Sequence, residues 1–94
     1  MRPQPLTKTE LTAGLAGLPE WRIEDGHLRR ELKFADFDAA FAFMGRVAEH
    51  ARRLDHHPEW SNSYAKVEIE LFTHDVGALT RLDLELARAI EASL

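Results

Sequence analysis

The chain contains no cysteine. That excludes disulfide staples, thiolate nucleophiles and thiolate ligation of zinc or iron–sulfur clusters together. Four prolines and five glycines among 94 residues are too few for a collagen-like, linker-rich or low-complexity chain. Basic charge is not in excess either: 12 Lys and Arg against 16 Asp and Glu leave a net charge of -4, without the clustered cations of a nucleic-acid footprint. No apolar run reaches the roughly 18 residues of a transmembrane helix. The opening Met1-Arg2-Pro3-Gln4-Pro5 also lacks the apolar stretch of a secretory signal. A cytoplasmic protein is expected, with a small molecule or another protein as partner and with neither nucleic acid nor membrane.

What is present is an ordinary globular composition, 45% hydrophobic and 30% charged, at a length that holds one core. Residues 1–94 are read as a single domain. A core this small and unstapled needs good packing or self-association. The five histidines are the obvious remaining chemistry.

Thr7-Lys8-Thr9-Glu10 has the form of a capping box, and Leu11, Leu15 and Leu18 recur at helical spacing before Pro19. Trp21 and Ile23 then alternate with charged residues as in a half-buried strand, and Asp25-Gly26 is a hairpin signal. Leu28, Leu32 and Phe34 share one face of a second strand; Arg30 falls on that face too, its stem expected along apolar surface and its head in water. Asp36 is a good N-cap for the longest helix, whose stripe Ala40, Phe41, Met44, Val47, Ala51 and Leu54 stops before Pro58. Trp60 to His74 reads as strand, divided by a turn near Tyr64 to Lys66, with Val67, Ile69, Leu71 and Thr73 on one face and Glu68, Glu70, Phe72 and His74 on the other. Thr80-Arg81-Leu82-Asp83 caps a final helix carried by Leu82, Leu86, Ala89 and Ile90. The order predicts an α+β two-layer domain, an antiparallel sheet with three helices packed on one face.

His27, after the hairpin turn, and His50, among charged residues of the long helix, read as solvated surface residues without a role. His56, His57 and His74 differ, because each sits where the chain changes direction and side chains can converge. Adjacent histidines make poor chelators, since successive side chains diverge in helix and in strand, so no metal is expected. General acid-base catalysis suits them better, as imidazole both gives and takes protons near neutrality.

Asp55-His56-His57-Pro58-Glu59-Trp60, with the downstream Thr73-His74-Asp75, Leu79-Thr80, Asp83 and Leu86-Ala87, resembles the pterin-4a-carbinolamine dehydratase family. Trp21, Phe34-x-Asp36-Phe37 and Phe41-x-Phe43-Met44 extend the match over nearly the whole chain. It departs from the family pattern at Val76-Gly77-Ala78 and at Phe72, where a small polar residue is common. The resemblance implies a four-stranded antiparallel sheet backed by three helices, and a homodimer or homotetramer to which exposed apolar residues of the long helix, such as Phe43, would contribute. It implies elimination of water from 4a-hydroxytetrahydrobiopterin to give quinonoid dihydropterin, in tetrahydrobiopterin recycling, with no cofactor. His56, His57 and His74 would be the catalytic residues, the first and last as the acid-base pair and His57 orienting the pterin. Asp55, His56, His57, Trp60, Phe72, Thr73, His74 and Asp75 would contact substrate, mostly through backbone groups over the Phe72 to Asp75 stretch. Trp21 and Trp60 could wall the pocket or fill the core, and Asp83 reads as the capping acid of the last helix. The alternative is a non-catalytic protein-binding or dimerisation module of the same fold.

Overall fold

The Asp25-Gly26 turn closes as expected: both residues have positive φ (53° and 77°), as a two-residue hairpin of right-twisted strands requires. It joins β1 (Arg22–Glu24) to β2 (His27–Lys33), with Glu24 paired to His27. A second two-residue connection, Tyr64-Ala65, joins β3 (Glu59–Ser63) to β4 (Lys66–Leu71). The computed structural model describes residues 3–94, and over them the four strands run antiparallel in the order β1-β2-β4-β3. The central pair β2 and β4 sets the register, Leu28 opposite Leu71 and Leu32 opposite Val67.

Leu28, Val67, Ile69 and Leu71 point from the sheet into the core, where Phe43 and Val47 of α2 (Phe37–Leu54) and Leu84, Leu86 and Ile90 of α3 (Arg81–Ala92) cover them. The first helix, α1 (Lys8–Ala16), carries the reciprocal Thr7–Glu10 capping box but buries none of its residues; Leu11 and Leu15 pack on the core edge. Gly14 lets it approach α3, since a Cβ there would lie 2.5 Å from a Leu84 methyl.

Four details differ from expectation. Ile23 is exposed rather than half-buried, because β1 is an edge strand of three exposed residues. On α2 the buried face is Ala40, Phe43, Val47 and Ala51; Phe43 is a fully buried core residue, and the exposed rings are Phe37 and Phe41, stacked at 5.5 Å. The head of Arg30 is not left to water alone: it pairs with Glu91 at 3.1 Å, and Glu91 also accepts the Trp21 indole N–H at 3.2 Å. That carboxylate, together with burial of the ring, makes Trp21 a core anchor. Finally, β4 ends at Leu71, three residues before His74. Thr73 bridges to Ala78, and its carbonyl accepts the N–H groups of Val76 and Gly77, closing a tight turn in which Gly77 has φ 75°.

Candidate active site

Two segments meet at one end of the sheet: residues 55–59, leaving α2, and residues 72–75, leaving β4. The exit from α2 is fixed locally. Asp55 adopts the left-handed conformation (φ 50°, ψ 43°), the Asp55 N–H donates to the Arg52 carbonyl, and the His56 N–H donates to that of Ala51 at 3.1 Å. This paired return of two amides onto the last turn satisfies helix carbonyls and reverses the chain, and Pro58 prevents helix from resuming.

The reversal turns His56 inward. Its ring is 7% exposed, and Nε2 lies 2.6 Å from Oδ1 of Asp83, which is wholly buried in the first turn of α3. The second oxygen of Asp83 accepts the Thr80 N–H (2.9 Å) and the Thr73 hydroxyl (2.8 Å). Since Thr73 has only one hydroxyl proton, the 2.8 Å contact between the two threonine oxygens is donated by Thr80. An ionised carboxylate only accepts, so His56 donates from Nε2–H, and in the neutral ring Nδ1 carries the lone pair. Every donor around Asp83 is thereby used, and among the described residues no side-chain polar atom is buried without a partner.

The other histidine pair faces water. Nε2 of His74 bonds the Glu59 carboxylate, both side chains being more than half exposed. Glu59 follows His57 by two residues, so the two segments are tied twice: Glu59 to His74, and His56 through Asp83 to Thr73. The Phe72 ring stands edge-on to His74 at 5.2 Å and packs against the His27 ring at 4.1 Å. Nδ1 of His27 meets Glu70 at 2.5 Å, and Arg29 meets the other Glu70 oxygen. The hydrogen bond from His27, aided by Arg29 and partly opposed by burial, holds the Glu70 carboxyl below its ordinary value. Beside these groups an open cleft of about 230 Å³ runs between Arg29, Glu59, Trp60 and Glu70.

A family model described as pterin 4 alpha carbinolamine dehydratase matches residues 4–93. The chain belongs to that family. A relative from Rhizorhabdus wittichii strain RW1, named for pterin-4-alpha-carbinolamine dehydratase, is 50% identical over 91 residues, covering 95% of this chain and 94% of its own. One from Synechococcus sp. strain WH7803, similarly named, is 56% identical over 75 residues, 80% of this chain and 81% of its own. A crystal structure of a transcriptional coactivator/pterin dehydratase from Brucella melitensis superposes with a TM-score of 0.91 at 40% identity, over 96% of this chain and 98% of that one.

The residues singled out from the sequence of this dehydratase-family chain separate into distinct environments. His56 and Thr73 are buried in the Asp83 network, while His74 is exposed on Glu59. Asp55, His57 and Asp75 are exposed at the two turns. Phe72 is half-buried between two imidazoles. Trp60 is half-buried opposite Ile69 and packs against the core, while also edging the cleft. Two residues have contacts that the sequence did not reveal. Asp83 does cap α3 as expected, but it also holds His56; one oxygen serves each task. His27 is no solvated bystander, because the register that sets Leu28 against Leu71 carries it, one rung on, to Phe72. Its place on the Arg29 face of β2 was the available signal.

Proposed function

We propose that the protein eliminates water from 4a-hydroxytetrahydropterin to give the quinonoid dihydropterin, with His56 and His74 as the acid-base pair. Hydroxide is a poor leaving group, so one imidazolium protonates the 4a-oxygen as the C–O bond breaks and water departs. The ring nitrogen lone pair drives that cleavage, and a ring N–H proton passes to the second imidazole. The observation that carries this reading is the pair of carboxylate-anchored imidazoles, His56 on Asp83 and His74 on Glu59, at the meeting of two turns. With Nε2 of each ring engaged by its carboxylate, Nδ1 is the nitrogen left to exchange a proton with substrate. His57, exposed between them in sequence, orients the pterin together with Asp55, Phe72, Asp75 and the rim of Trp60. Thr73 supports the site through Asp83. The chemistry needs no redox partner, and its place is recycling of the tetrahydropterin in the cytoplasm.

The exposed Phe37–Phe41 pair on α2 supports assembly into a homodimer or homotetramer, the role first given to Phe43. Purified protein should accelerate the loss of 4a-hydroxytetrahydropterin absorbance above the uncatalysed rate, and His56→Ala and His74→Ala should each lower kcat by about 10²-fold. If the wild type and both variants match the uncatalysed rate, the dehydratase reading fails and the binding-module reading replaces it.

A further inference from the structure

We propose that His27 is a positioning residue for His74, acting through Phe72. This rests on the reading of His74 as an acid-base group. His74 lies beyond the end of β4 on an exposed turn, and among the described residues its ring hydrogen-bonds the equally exposed Glu59. One hydrogen bond at Nε2 leaves the imidazole free to swing about that contact, and small misplacement of a reacting group lowers the rate steeply. The second constraint is the Phe72 ring, edge-on at 5.2 Å and 70°, a favoured aromatic geometry.

Phe72 is itself past the strand end and only half-buried, so it too needs a support. His27 supplies it, lying against the Phe72 face at 4.1 Å with a 33° tilt. The support is rigid because His27 belongs to the central strand β2, and its ring is pinned by Glu70 on β4, whose other oxygen is held by Arg29. The relay thus runs from two central strands, through two rings, to a residue on a turn. At 6.2 Å between ring centroids and nearly perpendicular, His27 lies close to His74 without a hydrogen bond to it, so its influence is exerted through Phe72.

The test compares His27→Ala, which removes the supporting ring, with His27→Phe, which keeps it and gives up only the Glu70 bond. Nitrogen-15 and ring-proton NMR signals of His74 are read beside kcat and KM for the 4a-hydroxypterin. We expect His27→Ala to shift the His74 ring signals and to lower kcat about tenfold with KM nearly unchanged, and His27→Phe to recover most of both. Phe72→Leu, with His27 intact, should shift the same His74 ring signals. The proposal is overturned by unmoved His74 signals in His27→Ala. A rise in KM with kcat preserved overturns it too, since that marks direct substrate contact. Equal damage from His27→Phe and His27→Ala has the same result. Should wild type show no acceleration, the dehydratase reading has failed, and the NMR comparison alone decides whether His27 sets the His74 ring.

Discussion

His56 and His74 each give Nε2 to a carboxylate, yet one pair is sealed in the core and the other stands in water. His56–Asp83 is buried on both sides, and its acid is saturated by Thr73 and Thr80 as well. His74–Glu59 is more than half exposed on both sides and leans on a phenylalanine. Burial makes the first pair inseparable from folding: both polar groups have given up water for one another, and removing one partner strands the other without its hydrogen bond. Exposure makes the second nearly neutral for stability, because solvent replaces whichever partner is lost. One histidine is therefore tied to the fold, while the other is held at the surface by an exposed acid and a ring edge.

The hardest blow to that contrast would come at Asp83. Asp83→Ala leaves His56, the Thr73 hydroxyl and the Thr80 N–H without their acceptor, and should cost about 3 to 5 kcal/mol. For a domain of this size that is a fall in Tm of more than about 10 °C by circular dichroism. Glu59→Ala should stay within about 1 kcal/mol of wild type in the same measurement. Equal losses at the two acids would break the comparison. The histidines sharpen it: His56→Ala should lose about 2 kcal/mol by emptying a buried hydrogen-bonded site, whereas His74→Ala should unfold within a few degrees of wild type. Both should be slow enzymes, so the pair of readouts separates a chemical defect from a folding one.

The buried half of the site was partly legible in the sequence and the exposed half less so, for different physical reasons. Local signals were reliable: the Thr7 and Thr80 capping boxes, the Asp25-Gly26 turn and the Asp36 cap all stand where residue chemistry put them. The Asp55-His56-His57-Pro58 break was readable too, since a helix cannot pass Pro58. Asp83 was seen only as a cap because a carboxylate has two oxygens, and sequence spacing speaks for the one that serves its own helix turn. The other reaches a histidine 27 positions away, a contact only the fold creates. The contacts of His27 were not legible because strand parity gives a face but not the neighbouring strand, and they depend on β2 lying beside β4. Phe41 and Phe43 were exchanged because they flank the same apolar stripe, and only the seat of the sheet decides which one is buried.

The mildest expected effect lies in the charge cluster that braces the exposed side. Glu70 is held below its ordinary value of 4.5, first by the His27 hydrogen bond and then by Arg29, with Glu59 opposite it on β3. A carboxyl whose value is depressed on folding stabilises the native state above the unfolded value, and that contribution disappears as pH falls through the folded one. Glu70→Gln keeps the shape and removes the charge. Its Tm should lie a few degrees below wild type at pH 7, because a solvent-screened cluster contributes about 1 kcal/mol or less. Going down in pH, the gap should hold until about 4.5 and close below it, as wild type loses what the variant never had. A gap that stayed constant into acid would mean that Glu70 acts through packing rather than charge. His27 would then be braced by the shape of the Glu70 side chain and not by its charge.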